Sequence, residues 1–437
     1  MNIWKEKTQI IVVLSVLFLL IMCILLGAFI MTKQANMEGG NGNHYQKQDE
    51  EKVVLDFYTW GDEGFYVNAI ANEFNQLHQN IEVKVHLLDT GDYEIEILDM
   101  LETEAKIDII GARGISKMVQ YKEEGYLYDI TENIQNSNID ITAYGNMYNN
   151  ISINGQYYGL PTRSTCWVLV YNKAIFNRLN IPYPTKMTWN EYRQLAKNIT
   201  EKSNGEFWGG YWIDWIYNFM GIQQSNYLYD DNLQHTKESL EFLYQLMYKD
   251  KSHMTFEEIQ KREQDWLNNF EEGRIAMMPQ GEWFVGMILE DEKQGKSSID
   301  WDLAPMPVPD GQEYNTTLGQ YQFAGIVNRC KNKEEAFVFL KFLYGREGAE
   351  ILAKHGMLSA YTNDSIQNLY RLKVGAKNTN VFFDARRIQE QPVYAAYSDL
   401  TEKFMKLSEA YFYDNAPIEE VFDAFIIERE KIIKKYK

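Results

Sequence analysis

The chain has 437 residues, 45% of them hydrophobic, and a formal net charge of −19 at neutral pH. That length and apolar content can bury two domains or one large α/β unit, while the acidity argues against nucleic acid and anionic lipid surfaces as partners. With only three cysteines, no disulfide framework is available.

From Ile10 to Met31 runs an almost unbroken apolar stretch. It is long enough for one membrane-crossing helix, which needs roughly 20 residues, and longer than the roughly 7–15 of a cleaved signal peptide. Lys5 and Lys7 precede it, so residues 1–9 are expected in the cytoplasm and everything after Met31 outside. Leu20-Ile21-Met22 before Cys23 lacks the small residue that lipid attachment wants, and the apolar run continues past the cysteine. The sequence leaves open whether the anchor is cleaved. Residues 32–52 are polar and rich in Gly and Asn, as a flexible tether is.

The globular part opens with Val53–Trp60, a short apolar run suited to a buried strand and ended by Gly61-Asp62-Glu63-Gly64. A helix follows, with Tyr66, Ile70, Phe74 and Leu77 at helical spacing. Ile81, Val83, Val85 and Leu87 then alternate as in a strand, and after another helix Lys106–Ile110 reads as a third. That succession predicts a parallel, wound sheet. Asn154-Gly155 is a hairpin signal, Leu160–Cys166 a crossing segment, and WVLVYN ending at Asn172 a strand. Thr188 and Glu191 have capping-box spacing at a helix start. Residues 190–290 read as mostly helical, Trp301–Val308 and Gln322–Val327 as strands, Glu334–Tyr344 as a helix burying Phe337, Leu340 and Tyr344, and the last hundred residues as helical. Cys166 and Cys330, in apolar strand-like contexts, read as buried free thiols.

The segment NGQYYGLPTRSTCWVLVYNKAIFNRLNI followed by TWNEYRQLAKNIT, then FEEGRIAMMPQGEW, then the block from DLAPMPVPDG to KFLYGREGAEIL, resembles in order and spacing the extracellular solute-binding proteins of the sugar-binding class. These are receptor components of bacterial ABC importers, similar to maltose- and oligosaccharide-binding proteins. The resemblance covers nearly all of 53–437. It implies an α/β, two-lobed periplasmic-binding-protein-like fold of type II, each lobe a wound sheet with flanking helices. One lobe would be 53–162 plus 309–356 and the other 163–308 plus 357–437. It further implies a monomer at a Gram-positive-type cell surface that captures a carbohydrate between its lobes and delivers it to ABC permease subunits. A relative of this family would normally carry a lipid anchor; here the span at 10–31 would tether instead. A non-sugar solute, or a membrane sensor without transport, is the alternative.

A sugar receptor needs aromatic platforms for apolar C–H faces and carboxylates, amides or Arg for hydroxyls. Trp60, Asp62 and Glu63 follow the first strand, at the sheet edge where ligands of parallel sheets bind. Arg113 follows the third strand at the equivalent edge. Trp283, with Glu282 beside it, matches the family's stacking aromatic, and Asp214 and Trp215, near Trp212, lie where the family presents an aromatic. Arg163 and Thr165 sit on the crossing segment, and Tyr321 and Gln322 start a strand bordering the cleft in the family. Trp189 is expected to pack its own helix. The aromatic abundance favours an oligosaccharide over a monosaccharide. A glycosidase would need two opposed carboxylates, and Asp62 or Glu63 against Glu282 could nominally supply them. Nothing in the sequence tunes such a pair, the six histidines show no metal-ligand spacing, and no P-loop or Gly-x-Ser-x-Gly elbow is present. No catalytic residue, metal or cofactor is expected.

Overall fold

The strand Val53–Trp60 (β1) pairs in parallel with Ile81–Leu88 (β2) on one side and Ile109–Ala112 (β3) on the other. The computed structural model describes residues 52–103, 105–144, 151–262 and 266–436. The span at 10–31, Cys23 and the tether lie outside them, and among the described residues no helix is long and apolar enough to cross a membrane. β3 begins later than the KIDII pattern suggests. Lys106 instead reaches back to β1, its Nζ 2.5 Å from Asp56 and 3.2 Å from the Val54 carbonyl.

The sheet is completed from far along the chain. Tyr321–Ile326 (β9) runs antiparallel beside β3, and Leu160–Ser164 (β4) antiparallel beside β9, giving the order β2-β1-β3-β9-β4. The helix Gly64–Leu77 covers this sheet with Tyr66, Ile70 and Phe74, and the helix Lys333–Tyr344 buries Phe337, Leu340 and Tyr344 as its spacing predicts. Phe74 meets Phe339 edge-on at 5.1 Å.

A second hydrophobic core forms around Trp167–Asn172 (β5), flanked antiparallel by Met277–Gly281 (β6) and Trp301–Pro305 (β7). This corrects the expectation of a wound sheet in each lobe: the long excursion between β5 and β6 returns the chain in the opposite direction, so no parallel crossover forms. Thr316–Gly319 (β8) and Arg386–Gln389 (β10) make a separate parallel pair. Within 190–290 the helices are interrupted over 203–218, where single bridges join Trp208 to Ile275 and Gly210 to His253. Trp189 is buried as expected, donating to Gln223 at 2.8 Å and packing on Phe219. Asn154 and Gly155 both take positive φ, the turn their sequence demands, and Cys166 and Cys330 are buried free thiols.

The buried apolar side chains described from Leu55 to Leu160 pack in the first core and those from Cys166 to Met306, with Leu318, in the second. The chain returns between Leu318 and Tyr321 and passes over again near Met357–Leu358. The three connections lie side by side: Thr165 N–H donates to the Gln320 carbonyl, Ser164 N–H to that of Leu358, and Ala360 N–H to that of Thr162.

The helix Trp189–Lys202 starts with a complete capping box, Thr188 accepting from the Glu191 N–H and Glu191 from that of Thr188. Thr188→Ala should lower unfolding free energy by about 1 kcal/mol, measured by urea titration. A loss near zero would show that tertiary packing alone sets this helix start.

Candidate functional site

β4 and β9 form a two-stranded ribbon between the cores, and its pleat gives it two faces. Arg163 pairs with Gln322 and Ser164 with Tyr321, so these two pairs point to opposite sides.

On one face Arg163 is buried between the cores. One terminal nitrogen donates to Glu63 at 3.0 Å, to the Tyr66 hydroxyl at 3.1 Å and to Gln322 Oε1 at 3.1 Å. The other donates to Glu282. Glu63 reaches Arg163 because β1 ends in a tight turn over Gly61–Glu63, and Thr59 Oγ1 also donates to it at 2.9 Å. Glu282 reaches Arg163 from the junction of β6 with the helix Trp283–Lys293. Thus one guanidinium joins carboxylates from both cores. Burial pushes both glutamates above the usual carboxylate range, and Arg163 pulls them back. Burial also opposes the charge on Arg163, but the flanking Tyr66, Glu282 and Glu63 outweigh it and raise its pKa.

Contacts continue from this network into a closed ring. Trp283, next to Glu282, packs against both cores and meets Trp167 edge-on at 5.4 Å. Trp167 Nε1 donates to Glu390 at 3.0 Å. The neighbouring Gln391 accepts from Ser116 and, with Gln320, closes over Gly114, where an added Cβ would lie 2.5 Å and 2.7 Å from their amide oxygens. Arg113 lies over the Trp60 ring at 4.8 Å, and the chain leads from Trp60 back to Glu63. Within this region Glu282 Oε2, Gln320 Oε1 and Arg163 Nε are buried without a partner among the described residues.

Of the residues singled out in the sequence, Glu63, Arg163, Glu282 and Gln322 share one network, and Trp283, Trp60 and Arg113 lie on the ring. Trp60 is buried in the first core, wedged between Tyr93 and Arg113, and Arg113 is held by Glu94 at 3.1 Å and by the Thr90 carbonyl. Thr165 ties the ribbon together through Gln320. Tyr321 points to the opposite face, where its hydroxyl donates to the Tyr144 carbonyl. The Asp62 side chain is exposed. Asp214 and Trp215 are exposed too, and among the described residues no hydrogen bond, ion pair or ring contact joins them to the ring. Sequence reasoning missed Trp167, Glu390, Gln391 and Gln320. Trp167 reads only as a strand start, and Glu390 meets it across 223 positions of chain.

Residues 60–350 match the family of bacterial extracellular solute-binding proteins, and the chain belongs to that family. An arabinooligosaccharide-binding protein of Halalkalibacterium halodurans is 24% identical over 211 residues, a match spanning 45% of this chain and 45% of that relative's length. A sugar transporter of Rhizobium etli in an open conformation superposes with a TM-score of 0.72 at 24% identity, over 86% of this chain and 99% of that one. An ABC substrate-binding protein of Listeria monocytogenes in complex with cycloalternan gives 0.77 at 20% identity, over 88% and 99%. These likenesses establish the α/β, two-lobed solute-binding fold.

Arg163→Met should cost about 3–5 kcal/mol of stability at neutral pH, because it strands two buried carboxylates. Urea unfolding checks this, and a loss under about 1 kcal/mol would mean that water reaches them. Glu390 gives a separate handle. Burial and the nearby Glu282 charge push its pKa up to about 7, against the Trp167 hydrogen bond. The folded protein therefore binds this proton more tightly than the unfolded chain. Its stabilisation is full below about pH 4.5 and is lost as pH rises through about 7. In Glu390→Gln the decline in stability across that window should flatten; an unchanged decline would place the responsible proton elsewhere.

Proposed function

We propose that this chain is the extracellular receptor of an ABC importer, capturing a carbohydrate between its lobes and handing it to a membrane permease. The observation that carries the reading is the ring itself: an aromatic side chain spanning both cores beside a carboxylate, arginine and amide network contributed by both. Carbohydrates need an apolar platform next to paired donors and acceptors. The unpartnered Glu282 and Gln320 oxygens call for hydroxyl donors, and Arg163 Nε for an acceptor. The arabinooligosaccharide-binding relative and the cycloalternan-bound structure support an oligosaccharide as the class of ligand.

Capture works by closure. Ligand held by one lobe gains further contacts from the other only when the hinge closes, and that difference in affinity shifts the population toward the closed form. The protein acts as a monomer, without catalysis, metal or cofactor. Glu63 and Glu282 are the opposed carboxylates a glycosidase would keep free around the scissile bond, and Arg163 occupies the space between them. The apolar run at 10–31 anchors the chain, leaving the lobes, 53–162 with 309–356 and 163–308 with 357–437, outside the cell.

The test is a thermal-shift panel on the full-length protein in detergent, with neutral arabino- and malto-oligosaccharides, monosaccharides, peptides and polyamines. A neutral oligosaccharide at 100 times its Kd should stabilise by about 2.7 kcal/mol. Trp283→Ala should weaken that binding at least ~10-fold while the ligand-free melting temperature changes little. A response only to peptides or polyamines, or to nothing, would remove the carbohydrate assignment. Equal loss of binding and ligand-free stability would make Trp283 a core residue.

A further inference from the structure

The opposite face of the hinge ribbon carries a cavity of about 420 Å3, within the ~300–1,000 Å3 of small-molecule sites. All three connections between the cores line it: Ser164 from the first, Tyr321 from the second and Met357–Ala360 from the third. None of the ring residues Trp60, Arg113, Glu282 or Trp283 does. The alternation of β4 and β9 explains the separation, because Ser164 and Tyr321 point away from the side where Arg163 and Gln322 meet Glu63 and Glu282.

The lining has an electrostatic bias. Among the described residues its only charged lining groups are Arg386 and Arg387, with no carboxylate, in a chain of net charge −19. Arg386 is exposed, its closest acid being Glu313 at 3.9 Å, an exposed pair that contributes little. No carboxylate among the described residues lies within ion-pair distance of Arg387, although its charge is felt by the buried Glu282 across the ribbon, and the Cys166 thiol lies beside it. Arg387 donates to Ser164 Oγ and to the Phe382 carbonyl at 3.2 Å, and its Nε is buried without a partner. Tyr370, 1% exposed, also lines the cavity with its hydroxyl unpartnered. Buried donors in that condition are rare because leaving them unmade is unfavourable. Met357, Ile366 and Phe383 supply the apolar wall.

We infer that this cavity is a second ligand site, distinct from the ring, for a small carboxylate-bearing molecule of monosaccharide size such as a hexuronate. The carboxylate is held by Arg387 and the Tyr370 hydroxyl, as charge-assisted hydrogen bonds favour, and the body packs on Met357 and Phe383. The occupant touches all three connections, so it binds open and closed arrangements of the lobes unequally and acts on the hinge.

The experiment is calorimetric titration of the full-length protein in detergent with glucuronate, and with glucose as the uncharged control. Glucuronate should bind, with glucose at least tenfold weaker. Tyr370→Phe deletes only the unpartnered hydroxyl, so it should weaken glucuronate three- to tenfold with the ligand-free melting temperature retained. Arg387→Gln should abolish binding. Trp283→Ala should leave glucuronate binding intact, which separates this site from the carbohydrate reading whether or not a neutral oligosaccharide binds. No glucuronate binding, equal binding by Tyr370→Phe, or loss in Trp283→Ala would overturn the proposal.

Discussion

Everything around the hinge is arranged about one buried guanidinium. Arg163 stands on the strand that leaves the first core, and its two terminal nitrogens hold a carboxylate from each side. Bringing three ionisable groups out of water is expensive, and their mutual attraction repays that only with good geometry and further hydrogen bonds. Tyr66, Gln322 and Thr59 supply those bonds. An apolar filling of the same shape could be as stable, but it would not tie the Gly61–Glu63 turn to the start of the helix Trp283–Lys293. The network therefore specifies how the two cores meet, and Trp283 inherits its position from Glu282.

The second constraint is the pleat of β4 and β9. Because successive side chains alternate, a single ribbon presents a charged network on one face and a mixed apolar and hydroxyl lining on the other. Close backbone approach keeps the ribbon narrow: a Cβ at Gly319 would lie 2.6 Å from the Thr165 carbonyl, and one at Gly159 2.5 Å from that of Ala324. A side chain at either place would wedge the connections apart. Any rotation of one lobe must therefore be absorbed along these strands, and both faces change shape together.

Much of the fold was legible in the sequence because it rests on local rules. The period-two run of Ile81–Leu88, the helical spacing of Phe337, Leu340 and Tyr344, the Asn154-Gly155 turn and the Thr188 capping box each depend on neighbours within a few residues. The site was legible only as residue types. Arg163 meets Glu63 across 100 positions and Glu282 across 119, and no periodicity reports such pairings. For the same reason Trp60, at the correct strand end, could be placed but not seen to be wedged between Tyr93 and Arg113. The antiparallel second sheet also depends on where a hundred-residue excursion returns, which its own residues do not encode locally.

The aromatic abundance that suggests an extended sugar has mostly another destination. Trp189, Trp212, Phe219 and Phe242 pack on one another, as do Tyr217, Phe256 and Phe412, in the second core. On the ring only Trp283 spans both cores. Selectivity must then come from polar demand. On the Arg163 face two of the three unpartnered buried atoms are acceptors, Glu282 Oε2 and Gln320 Oε1, which a hydroxyl satisfies and a carboxylate would repel. On the other face the unpartnered groups are the donors of Arg387 and Tyr370. The two sides of one ribbon thus require ligands of opposite hydrogen-bonding character, and a molecule suited to one is ill suited to the other.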